Sequence, residues 1–155
     1  FFDPSDLWGR EKDTLGLIRE VTASKQLDWF LVNEAELREL SRVLLLNAGG
    51  TSPCAHDDMQ GQGREFTKRV PAGLATHAQR RAESWRGGKS EGAIEQEPAV
   101  PLRTTGAGDV WNAAFIAGTL SGMAPQVRLE FAQTMARIFV TSEGAPPSLS
   151  GLGKP

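Results

Sequence analysis

Cysteine is nearly absent from this chain: Cys54 is the single one among 155 residues. No internal disulfide can form, so packing must hold the fold, as expected of a protein from a reducing cytoplasm. An excess of one charge is lacking too, with 17 Lys and Arg against 19 Asp and Glu and a formal net charge of -2. That balance gives no electrostatic ground for a nucleic-acid or membrane partner. No apolar run approaches the roughly 18–20 residues of a membrane span. The first residues lack the basic-then-apolar layout of a signal peptide, and there is no internal repeat. What is present is 39% hydrophobic and 23% charged residues in a length suited to one domain, a soluble globular composition.

Apolar spacing predicts alternating helices and strands. Residues 13–25 carry Leu15, Leu17, Ile18 and Val21 at near-helical intervals. The run LDWFLVN (27–33) has the length of a strand covered on both faces, as in a parallel sheet. NEAELRELSRVLLL (33–46) follows at once, with Ala35, Leu37, Leu40, Val43 and Leu44 on one helical face. Asn33 suits the N-cap, and Glu34 and Glu36 complement the positive helix end. Residues 47–69, rich in Gly, Ser and Asp, read as a surface loop. Strand signals return at 69–78, 81–88 and 92–100, the last two suggesting a hairpin around Gly87-Gly88. Helices are expected from Gly108 and from Pro125, and the tail is expected to fray over 150–155. Strand, cap and helix in succession point to an α/β fold. The opening FFDPS reads as a strand end entering a turn. Residue 1 then looks like a cut through a larger domain, a short edge strand being the other reading.

The segment TTGAGDVWN (104–112) carries the chemistry. A helix N-terminus leaves backbone N–H groups without intrahelical acceptors and bears about half a positive charge. Glycines let an anion approach that backbone, so Gly106, Ala107 and Gly108 suit a phosphate. Asp109 would repel a phosphate it merely bound. It makes sense as a base that deprotonates a hydroxyl attacking the phosphorus, worth about 10²–10⁴ in rate. The other reading is a tight turn before a first-turn helix acid, since Gly-x-Gly alone is a weak signal.

Four segments, in order, resemble the ribokinase-like, or PfkB, carbohydrate kinases. TTGAGDVWNAAFIAGTLSG is similar to that family's D-T-T-G-A-G-D-x-F-x-A-G-F signature, with Trp111 in place of Phe. NEAE (33–36) is similar to its N-x-x-E motif, ARIFVTSEGAPPSL (136–149) to its A-x-x-V-T-x-x-G-A segment, and FFDPSDLWGR to its D-P-N/S-x-R strand end. The resemblance implies a Rossmann-like, ribokinase-type three-layer α/β fold, of which residues 1–155 are the C-terminal half. It implies transfer of the ATP γ-phosphate to a hydroxyl of a sugar or sugar-like acceptor in the cytoplasm. Asp109 would be the base and Gly106, Ala107 and Gly108 the anion hole. Thr105, Asn33, Thr76 and Gly144 would bind nucleotide, and Glu36 would help hold Mg²⁺, through water. A homodimer is compatible with the full-length protein. A nucleoside kinase and a non-catalytic, truncated nucleotide-binding remnant are the rival expectations.

The departures carry information as well. Arg103 stands where the family has an Asp that supports a monovalent-cation site, so potassium activation is not expected. Arg103 reads either as a phosphate contact or as a structural arginine. LATHAQRRAESW keeps Thr76 but not the glycines of the family's nucleotide-lining strand, and His77 there reads as a phosphate or base contact or as a satisfied surface histidine. His56, Asp57 and Asp58 lack paired ligand spacing, so no metal site is expected there. Cys54 has no motif of a reactive thiol. The tryptophans at 8, 29, 85 and 111 read as packing residues, with Trp8 a candidate ligand neighbour.

Overall fold

Two clusters of buried side chains, one on each face of a four-stranded sheet, define the architecture. The structure is a computed structural model, and it describes residues 1–4, 11–23, 27–46 and 59–143. In chain order the elements are α1 (Glu11–Ala23), β1 (Trp29–Asn33), α2 (Glu34–Leu46), α3 (Met59–Arg69) and β2 (Gly73–His77). They continue with β3 (Arg81–Arg86), β4 (Lys89–Glu95), α4 (Ala107–Leu120) and α5 (Pro125–Thr141). The sheet order is β1-β2-β3-β4, with β1 parallel to β2 and the remaining pairs antiparallel. Phe2 bridges in parallel to Phe30 on the outer side of β1, so the opening segment does pair as a strand end.

Strand β1 is apolar throughout because both its faces are covered. Phe30 and Val32 join Leu37, Leu40, Phe66, Leu74 and Trp85 on the side of α1, α2 and α3. Trp29 and Leu31 point the other way, into Ala75, Ala82, Trp111, Phe115, Leu129 and Ala132 beneath α4 and α5. The result is three layers, helices on both sides of a sheet. Of the stripe expected on α1, Ile18 is buried and Leu17 exposed; on α2, Leu37, Leu40 and Val43 are buried but Ala35 is exposed. The hairpin turns at Gly87 and Gly88, with φ of 57° and 77°. Positive φ at both central residues is the geometry of a tight two-residue connection.

The loop expected over 47–69 is corrected at its second half, where Met59–Arg69 is helical and buries Gln62, Gly63, Phe66 and Thr67. Its glycine content marks close packing: a Cβ on Gly63 would come within 2.6 Å of the Trp85 ring. Gly73 is notched in the same way, its Cβ position lying 2.5 Å from Trp29. The expected tail at 150–155, together with Trp8, Cys54, His56, Asp57, Asp58 and Gly144, lies outside the described residues. Among the described residues no helix is long and apolar enough to cross a membrane.

Candidate active site

Parallel strands β1 and β2 end side by side, with Asn33 in register with His77. Ligands of α/β sheets gather beyond such carboxyl ends. A cavity of about 550 Å³ opens there, within the range of small-molecule sites. Asn33, His77, Thr104, Ala107 and Gly108 line one part of it; Gln133, Ala136, Arg137 and Val140 of α5 line another.

The turn before α4 meets this cavity at Thr104, Ala107 and Gly108. Gly106 holds φ 87°, a left-handed conformation open to glycine, and no side chain caps the helix. Ala107 N–H donates to Thr104 O at 3.1 Å and Val110 N–H to Gly106 O at 3.0 Å. The N–H groups of Gly108 and Asp109 have no backbone acceptor among the described residues. An uncapped N-terminus facing a cavity is a ready anion site. Of the expected triplet, the amide of Ala107 already serves the turn, while those of Gly106 and Gly108, like that of Asp109, have no backbone acceptor among the described residues. Asp109 is exposed on the first turn of α4 and is not part of the cavity wall, although Gly108 beside it is. Thr105 is exposed in the turn.

Asn33 and Glu36 grip each other. Asn33 N–H donates to Glu36 Oε2 at 2.8 Å, and Glu36 N–H donates to Asn33 Oδ1 at 2.9 Å. This is a reciprocal capping box that starts α2. Burial pushes the Glu36 carboxyl above its ordinary range, the Asn33 backbone bond opposes this, and the Asp3 charge adds to the rise. Among the described residues no three His, Cys, Asp or Glu side chains are grouped as metal ligands.

Other expected residues fall elsewhere. Thr76 is fully buried, its hydroxyl donating to the Met59 sulfur at 3.1 Å, so the structure does not bring it to the cavity. Its neighbour His77 lines the cavity instead, stacked on Trp111 with ring centroids 4.7 Å apart. Burial lowers the His77 imidazole to about 4, with Asp3 partly opposing, so the ring is neutral at pH 7. Trp111 Nε1–H donates to Gln133 Oε1 at 2.9 Å, and Gln133 Nε2 donates to Ala78 O at 3.0 Å. Arg103 is structural: its Nε donates to Phe139 O at 2.9 Å and its guanidinium lies 4.0 Å from the Phe139 ring centroid. Gln133 and Arg137 carried no sequence signal, because only the docking of α5 against the sheet puts them at the cavity.

Residues 12–150 match the family described as pfkB family carbohydrate kinase. Among curated proteins none matches the chain. Solved structures share the fold. A 2-dehydro-3-deoxygluconokinase from Thermotoga maritima superposes with a TM-score of 0.68 at 16% identity, over 92% of this chain and 44% of its own. An adenosine kinase from Sinorhizobium meliloti gives 0.66 at 19% identity, over 96% and 41%. An E. coli structure assigned as ribokinase II, in complex with ATP and Mg²⁺, gives 0.63 at 19% identity, over 92% and 42%. The chain thus spans less than half the length of these structures.

Proposed function

Since the chain belongs to the pfkB family of carbohydrate kinases, we propose that it carries the ATP-binding and proton-accepting part of a phosphotransferase whose acceptor is a hydroxyl of a sugar or sugar-like compound. One observation carries the reading. The uncapped turn at Gly106 opens on the 550 Å³ cavity, while Asp109 stands exposed just outside it. Phosphate and acceptor therefore have separate approaches to adjacent residues.

In this reading the acceptor hydroxyl attacks the γ-phosphorus and Asp109 takes its proton. A new P–O bond forms, the bond to the β-phosphate oxygen breaks, and ADP leaves. The amides of Gly108 and Asp109, at the positive end of α4, face the charge that develops on the migrating group. Gly106 contributes through its left-handed backbone and Ala107 by closing the turn on Thr104. Asn33 and Glu36, already locked together, present the end of β1 to the phosphates, with Thr105 at the rim. Mg²⁺, when bound, supplies neutralisation of phosphate charge. Ala136 and Val140 form the wall where the base would lie.

The acceptor pocket is a proposal about the whole protein, because relatives of this fold are more than twice as long. Likeness to an adenosine kinase keeps a nucleoside acceptor as the second reading. The test is acceptor-stimulated ATP consumption over a panel of sugars and nucleosides. A response to one class assigns the acceptor. Nucleotide binding with silence across the panel, in the full-length context, replaces the enzyme with a binding remnant.

A further inference from the structure

His77 has a place in the cavity that packing alone does not explain. Its ring leans on Trp111 at an interplanar angle of 28°, and Trp111 is fixed in turn by Gln133. That arrangement presents one edge of the imidazole to the turn before α4. A Cβ built on Gly108 would lie 3.5 Å from His77 Cε1 and 3.8 Å from Nε2. The same cavity wall therefore holds the Gly108 backbone and an imidazole nitrogen, and the ring makes no hydrogen bond among the described residues. His77 is half-buried at the wall of a mainly apolar cavity, so a ring nitrogen without a protein partner is free to serve a polar ligand seated there.

We propose that His77 contacts the nucleotide itself, its Nε2 edge hydrogen-bonding an oxygen of the phosphate chain seated against the Gly108 and Asp109 amides. This rests on the reading of the cavity as a nucleotide site, and it adds a side-chain donor that the backbone cradle lacks. A neutral ring donates without a fixed positive charge and so holds phosphate less tightly than a lysine. Stacking on Trp111 limits the rotation of the ring, so little side-chain entropy is lost on binding. The pairing of His77 with Asn33 across β1 and β2 sets the two polar side chains at the same level of the sheet.

Calorimetric titration of the chain with a non-hydrolysable ATP analogue and, separately, with adenosine tests the contact. His77→Phe keeps an aromatic stack on Trp111 and removes both nitrogens. It should weaken the analogue about tenfold or more while leaving adenosine unchanged, as the loss of one hydrogen bond to a charged oxygen requires. His77→Asn should recover part of the loss. Near-ultraviolet circular dichroism of the tryptophans shows that both variants are folded, and if His77→Phe is not, the His77→Asn ratio decides. Unchanged affinity for the analogue, or equal weakening of both compounds, overturns the contact. Failure of the unsubstituted chain to bind either compound overturns the nucleotide reading of the cavity, and the contact with it.

Discussion

Asn112 Nδ2 donates a 2.7 Å hydrogen bond to Oδ2 of Asp3, 109 positions earlier in the chain. Asn112 is three residues after Asp109, on the same side of α4. The helix face that bears the proposed base is thereby tied to the segment that pairs Phe2 with β1. The helix turn that carries Asp109 is anchored in this way, while Asp109 itself stays exposed.

Asp109→Asn keeps the size and removes the basicity of this side chain. In the full-length protein, turnover should fall by about 10²–10⁴ while ATP affinity changes little. Steady-state kinetics with parallel nucleotide titration checks both. An undiminished rate removes Asp109 from the mechanism.

Gly106→Ala places a Cβ on a residue at φ 87°, and 3.4 Å from the Phe139 ring. The left-handed backbone costs an L residue about 1–2 kcal/mol. Denaturant unfolding should show a loss of that order, and nucleotide affinity should drop with it as the turn relaxes. Full stability with intact binding is the outcome against a constrained turn.

Gln133→Ala removes the acceptor of the Trp111 indole and the donor to Ala78 O. Gln133 is 5% exposed and Trp111 1%, so water does not readily replace it. The unpaired buried groups should cost about 1–3 kcal/mol of stability, read by chemical denaturation. Gln133→Glu should lose less only at a pH where that carboxyl is protonated, because the neutral acid can accept from the indole and donate to Ala78 O, whereas a buried carboxylate would face a carbonyl oxygen with no donor.

Acid should destabilise the fold through His77. Its folded value of about 4 lies below the ordinary 6.5, so the unfolded chain binds the proton more readily. Its contribution is complete above pH 6.5, declines as pH falls toward 4, and is flat below that. The difference corresponds to roughly 3 kcal/mol at most. Glu36 moves in the opposite sense, its raised carboxyl favouring the folded state as pH falls. The diagnostic quantity is therefore the difference between the wild-type and His77→Phe melting curves over pH 7 to 4. A difference that does not vary with pH counts against the buried neutral ring.

Local signals were the legible ones. WFLVN announced a strand covered on both faces, Gly87-Gly88 a hairpin, and TTGAGD a glycine turn opening a helix, because each rests on neighbouring residues. Helix α3 was hidden, since Gly61 and Gly63 lower helix propensity and only contact with Trp85 explains the second of them. The choice between Thr76 and His77 was open to the two-residue strand period. Leu74 and Thr76 share one face of β2, and Ala75 and His77 share the face toward α4. The α5 side of the cavity was not legible, because Gln133 and Arg137 reach it only through tertiary docking.

The two notched glycines also constrain how this sequence can drift over generations. Gly63 and Trp85, and Gly73 and Trp29, are lock-and-key couples, each indole filling the room its glycine vacates. Neither glycine can acquire a side chain until its tryptophan has shrunk, and neither tryptophan can shrink without leaving a void. The packing therefore predicts that a tolerated change at either position needs a compensating change at its partner, and that a lone one loosens the contact.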